Sequence, residues 1–184
     1  MRALILFICH LLFIPCFASQ QWTSIQDDKS IQFTASYDEV AFNGVFSKST
    51  STISIDLQDL ENSYINCTID VTSINTNSRD RDQALADSDW FYFNNFPQAS
   101  FNSTHISHIE DDRYNIIGIL QIRDQKKQIT FPLEWKVTDN KHAHARAQFE
   151  LDRRDFNIGN GEWAEDETIG FGVSVAISIN YKPG

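Results

Sequence analysis

The stretch 168-TIGFGVSVAISINY-181 decides the fold. Ile169, Phe171, Val173, Val175, Ile177, Ile179 and Tyr181 recur at every second position, and the residues between them, Gly170, Gly172, Ser174, Ala176, Ser178 and Asn180, are small or polar. A period of two places the first set on one face of an extended strand and the second set on the other. The chain therefore ends in a long strand with one apolar side and one wet side.

The same period appears in Ile129, Phe131, Leu133, Trp135 and Val137, in Ala143, Ala145, Ala147, Phe149 and Leu151, in Ile65, Cys67, Ile69 and Val71, and in Ile53, Ile55 and Leu57. Further strands are predicted over Ile31 to Tyr37, Val40 to Ser47, Ser100 to Ile109 and Tyr114 to Arg123. Turn-forming runs separate them: DLEN at 59 to 62, EDDR at 110 to 113, RDQKK at 123 to 127 and TDNK at 138 to 141. One segment breaks the rhythm. NSRDRDQALADSDWF, residues 77 to 91, is charged around Ala84, Leu85 and Ala86, and predicts a short helix with Ser78 near its start. An antiparallel sheet of roughly eight strands has edges that must be hidden. Strands this long suit closure into a barrel better than a small sandwich. The reading is one all-β domain, a closed antiparallel barrel with one short helix in a crossing loop.

The first residues, MRALILFICHLLFIPCFAS, have one arginine, an apolar run from Ala3 to Phe13 and the small Ala18 and Ser19. That is the order of a secretory signal peptide, expected over residues 1–19, with the domain at 20–184 and the periplasm as its destination. The run is too short, and too broken by His10 and Pro15, for a retained membrane span. Cleavage removes Cys9 and Cys16 and leaves Cys67 without an internal disulfide partner. It also removes Arg2, so 15 basic residues become 14 against 25 acidic ones, a net of −11. Such a surface repels phosphate backbones and anionic lipid heads, which speaks against nucleic-acid binding and against stable membrane insertion.

Catalytic motifs are scarce. His142 and His144 form an H-x-H pair whose side chains point the same way on a strand, and this leaves a metal-assisted enzyme as one reading. Against it, the pair alternates with Ala143 and Ala145 and so belongs on the wet face. Cys67, among Ile65, Ile69 and Val71, reads as an inert core thiol. IGNGEW, residues 158 to 163, is a turn, since no helix start with a lysine follows it. The carboxylates at Asp80, Asp82, Asp87 and Asp89, and at Glu162, Glu165, Asp166 and Glu167, read as solvated faces with Arg79, Arg81, Arg153 and Arg154 as ion-pair partners.

What remains distinctive is apolar. Trp90, Phe91, Tyr92, Phe93, Phe96 and Phe101 occur within a dozen residues. They serve either as ordinary core or as the lining of a pocket. The run from Thr68 to Ile106, TIDVTSINTNSRDRDQALADSDWFYFNNFPQASFNSTHI, resembles the central motif of the YceI-like, polyisoprenoid-binding family, with its Arg-Asp pair, its acidic residue before aromatics and its Phe96-Pro97. GILQIRDQKKQITFPLEW, residues 118 to 135, is similar to that family's next hairpin, although Asp124 stands where the family often has glycine. ARAQFELDRRDFNIG, residues 145 to 159, is similar to its Arg-Asp-Phe strand.

The resemblance implies a periplasmic, lipocalin-like barrel whose interior holds an isoprenoid chain, such as a quinone tail or polyprenyl lipid. The expected role is non-enzymatic binding, sequestration or transport, with no cofactor beyond that ligand. Alternation and ring placement nominate Phe33, Phe46, Phe101, Leu120, Leu133, Trp135, Phe149 and Phe171 as the wall, with Trp90, Phe91, Phe156 and Trp163 near the mouth. Two rival readings stand beside it: the metal-assisted enzyme, and a stress-related scaffold with a solid core. The assembly state stays open, a homodimer included.

Overall fold

The computed structural model describes residues 20–165 and 168–184, the side chains of 26–29 excepted. The expected signal segment, and Asp166 and Glu167 of the second acidic run, lie outside the described residues. Ten strands follow in order: β1 (Trp22–Tyr37), β2 (Val40–Phe46), β3 (Ser49–Ser54), β4 (Tyr64–Asp70), β5 (Ile74–Asn75), β6 (Gln98–Glu110), β7 (Arg113–Ile122), β8 (Gln125–Asp139), β9 (His142–Asp152) and β10 (Gly172–Pro183). One helix, α1 (Arg79–Leu85), lies between β5 and β6.

The sheet closes because β10 pairs with both β9 and β1. Strands β2 and β3 run one after the other along β1, with a break at Ser47 and Lys48, and act as one bent stave. Strand β4 pairs with β3 and then β5 pairs with β2, forming the next stave. The result is a closed eight-stave antiparallel barrel. Closure leaves no long exposed edge, which is the physical reason a polar, acidic chain can carry so much sheet. The expected short helix forms with Ser78 as its cap: Arg81 N donates to Ser78 Oγ at 3.4 Å. Asp80 and Asp82 sit in its first turn, where they favour the helix dipole.

Four details differ from the periodicity. Strand β1 begins nine residues before Ile31, because Trp22 packs in the core and Trp22, Thr23 and Ser24 join the β10 ladder, while a register shift between Ser24 and Lys29 breaks the apolar alternation. The strand expected over Ile53 to Leu57 is instead Ser49–Ser54, and Leu57, 54% exposed, lies in the following turn. Strand β10 starts at Gly172, not Ile169: the carbonyls of Ile169 and Gly170 accept from the Arg153 side chain and that of Phe171 from Arg153 N, so this segment does not join the β9 ladder. Val137 has core parity but is 50% exposed, near the end of β8.

The two ends of the barrel differ in construction. One end carries the N-terminus of β1, the β6–β7 turn and the β8–β9 turn. There Trp135 packs edge-on against Trp22, with ring centroids 6.0 Å apart, and against Tyr181 at 5.3 Å. Trp22, Trp135, Tyr181 and Tyr114 are each 5% exposed or less, so this is a filled core, called here the plug end. The other end carries the β1–β2 hairpin, the crossing with α1, the β7–β8 turn and the long 153–171 loop. It is called here the cap end.

Candidate functional site

Between the plug and the cap lies a cavity of about 200 Å³ whose accessible wall is entirely apolar. Its size follows from where the inward side chains rest. In the β1–β2 pair Phe33 stands opposite Gly44, and a Cβ built on that glycine would meet the Phe33 ring at 2.2 Å. On β7, a Cβ on Gly118 would meet the Phe101 ring at 2.4 Å. Each glycine thus leaves room for the tip of a phenyl ring. Larger residues would push those rings toward the axis, so the two glycines keep the lumen vacant.

The structure sets Phe33, Phe46, Trp90, Phe91, Phe101, Leu120, Leu133 and Phe149 on the cavity wall. The other four nominated residues lie elsewhere. Trp135 has inward parity but sits deeper, inside the plug. Phe171 lies under the Arg154 guanidinium, 3.7 Å from its carbon to the ring centroid, outside the ladder. Phe156 is 2% exposed within the core behind the cap, and Trp163 packs on Trp90 at 5.8 Å without reaching the hollow. The wall also includes residues the nomination lacked. Phe131, stacked on Phe149 at 4.7 Å and near Phe101 at 5.4 Å, is among them, and its place in the β8 alternation already carried the signal. Phe42 and Ala35 stand at the rim, and Cys67 faces the same space, half-buried and unbridged.

At the floor, the hydroxyls of Tyr181 and Ser51 hydrogen-bond at 2.6 Å, and Ser51 N donates to Ser24 Oγ at 3.0 Å. Burial pushes the Tyr181 hydroxyl well above the ordinary phenol value, so it stays neutral. These polar groups satisfy one another and leave the cavity dry in character.

The cap is held by two arginines. Arg153, read from sequence as a surface ion-pair partner, is 4% exposed. Its Nε donates to Gly170 O, its Nη1 to Ile158 O and Gly159 O, and its Nη2 to Trp163 O, Glu165 O and Ile169 O, all between 2.6 and 3.1 Å. This fork gathers the 158–170 loop over the barrel end, a role no sequence pattern announces because its partners are main-chain carbonyls. Arg123 Nη1 donates to Trp90 O at 2.7 Å and to Asn157 O at 2.6 Å, and so ties the two cap segments together. The aromatic run that follows Ser88 is anchored there: Phe91 packs on Phe46 at 6.0 Å, and Phe46 on Phe33 at 5.6 Å.

The H-x-H pair occupies the outer face with separate partners. His142 Nδ1 lies 3.0 Å from both Asp139 carboxylate oxygens, and His144 Nε2 lies 3.0 Å from Ser178 Oγ. Among the described residues no three His, Cys, Asp or Glu side chains converge on a metal position.

Comparison with known proteins agrees with this architecture. The family model described as YceI-like domain matches residues 22–181. Protein YceI of Shigella flexneri is 32% identical over 122 residues, which are 62% of this chain and 62% of that protein's length. Among solved structures, BcnA of Burkholderia cenocepacia superposes with a TM-score of 0.81 at 22% identity, covering 85% of this chain and 98% of that one. A polyisoprenoid binding domain from Saccharophagus degradans superposes with a TM-score of 0.73 at 15% identity, covering 91% of this chain and all of that one. At these identities the structural likeness speaks for the fold.

Proposed function

The chain belongs to the YceI-like family, and from that premise we propose that it is a non-enzymatic carrier that binds an isoprenoid lipid, of quinone or polyprenyl type, in the hollow of its barrel. The observation that carries this reading is the wholly apolar cavity of about 200 Å³ inside a closed barrel. An engineered protein cavity of about 150 Å³ takes up benzene. By that measure the hollow suits a ring or one to two five-carbon units, and the remainder of a longer chain lies at the mouth.

Each buried methylene contributes about 0.8 kcal/mol, so a five-carbon unit offers up to roughly 3–4 kcal/mol before ordering costs. Two such units approach the roughly 8 kcal/mol of a micromolar complex only if the site is preorganised. The rings seated on Gly44 and Gly118 supply that preorganisation. With 25 acidic residues against 15 basic, the chain favours a neutral quinone or alcohol head over a phosphate. Export to the periplasm, the destination suggested by the first residues, fits a carrier of membrane-derived lipid.

Solvent extraction of the purified protein followed by mass analysis tests the proposal. A prenyl-containing mass in stoichiometric amount is expected. Recovery of none, after quinones and polyprenyl alcohols have been offered, sinks it and favours the solid-core scaffold.

A further inference from the structure

The inner face of the barrel does not stop at the rim. Along the β1–β2 hairpin the directly opposed pairs on that face are Ile31 with Phe46, Phe33 with Gly44, Ala35 with Phe42, and finally Tyr37 with Val40. The first three pairs contribute to the cavity wall. The fourth projects past it, with Tyr37 45% and Val40 69% exposed. An apolar ramp of four rungs therefore runs unbroken from the hollow into solvent.

The tip of that ramp is built to stay in place. Asp38 and Glu39 form the turn at φ of 46° and 62°, left-handed values that residues with side chains adopt at a cost. Asp38 N donates to Thr168 O at 2.8 Å, and Gly170 N donates to Ser36 O at 3.2 Å. The segment they lean on is the one Arg153 grips through Ile169 O and Gly170 O. Surrounding contacts thus hold a left-handed turn at a point that exposes two apolar side chains.

We propose that the Tyr37–Val40 tip is the element that docks the mouth on a lipid surface of neutral headgroups, so that a prenyl tail passes between bilayer and cavity along the hairpin. The inference rests on the carrier reading. The occupant is a bilayer because the patch continues the wall of an apolar cavity, and a tail that follows it never crosses water. Each methylene exposed in transit would slow transfer about fourfold. The headgroups are neutral because the turn itself is Asp38-Glu39, both exposed, on a chain of net charge −10.

The test is stopped-flow uptake, read by tryptophan quenching, of a ubiquinone with two prenyl units supplied in phosphatidylcholine vesicles or, separately, in ethanol. Val40→Asp and Tyr37→Ser are each expected to slow uptake from vesicles by tenfold or more and to leave the extent of loading from ethanol unchanged, which also shows that the variants fold. Replacing part of the phosphatidylcholine with phosphatidylglycerol is expected to slow the unaltered protein, with recovery as salt rises. Vesicle uptake that is indifferent to both substitutions overturns the docking role, as does faster uptake from anionic vesicles. If the unaltered protein loads from neither source, the carrier reading fails, not the docking surface alone.

Discussion

At the plug end Trp22, Trp135 and Tyr181 meet edge to face and fill the barrel; toward the cap end Phe33 and Phe101 set their ring tips over glycines and leave it vacant. Both regions are aromatic, and both sit on the inward face of the barrel. The difference lies in what each ring packs against: another ring across the barrel at the plug, a glycine at the hollow. A ring facing another ring interlocks, whereas a ring facing a hydrogen recedes into the wall. Aromatic content alone therefore says nothing about whether a barrel is solid or hollow. What each ring packs against decides it.

The sharpest way to break that contrast is to cut one ring from each region. Trp135→Ala is expected to cost about 3–5 kcal/mol, because its cavity is enclosed by packed rings that relax little. Phe33→Ala should cost only about 1–2 kcal/mol, since one side of that ring already faces empty space. Urea denaturation measures both, and equal losses would erase the distinction between plug and hollow. Next in size is Arg153→Met, which leaves six main-chain carbonyls without their donor. A loss of about 2–4 kcal/mol is expected, with hydrogen exchange rising in the 158–170 loop before the rest of the barrel.

Gly44→Val sharpens the comparison from the other side. It should displace the Phe33 ring, cost about 1–2 kcal/mol through overpacking, and weaken retention of a prenyl quinone at least tenfold by filling the hollow. Retention unchanged in that variant would mean the vacancy is not where the ligand goes.

The smallest expected effect concerns pH. The Arg154 side chain, hydrogen-bonded to Asp152, holds that carboxyl below its ordinary value of 3.8 against the opposing effect of burial. A depressed folded value means the contribution is complete above the unfolded value and fades as pH falls through the folded one. The cap should thus be insensitive to pH from neutral down to about 4 and loosen below it. Arg154→Ala should weaken that acid response, leaving the part due to the residue-154 main-chain N–H and the Arg153 charge, and change neutral stability by no more than about 1 kcal/mol, as expected for a partly exposed pair. Fluorescence of the cap tryptophans follows both.

How much of this was legible in the sequence follows the same division. Alternation marked the inward residues of β4, β8, β9 and β10 because a ladder preserves parity for as long as it lasts. It misplaced Phe171 and Leu57, which lie past the ends of ladders, and it missed the first half of β1, where a register shift breaks the apolar alternation. Trp135 shows the deeper limit. Parity tells which face a residue takes but not its height along the barrel axis, so a plug residue and a wall residue look alike. Arg153 was illegible for another reason: its six acceptors are carbonyls brought together only when the 158–170 loop closes.

Cys67 gives the hollow a gauge. It lines a space that shows no other thiol and no amine, and among the described residues it takes part in no disulfide. The speed at which a small alkylating reagent reaches that thiol therefore counts vacancies, fast in an empty barrel and slow in a laden one, and a single labelling time course becomes an occupancy meter that needs no knowledge of what the cargo is.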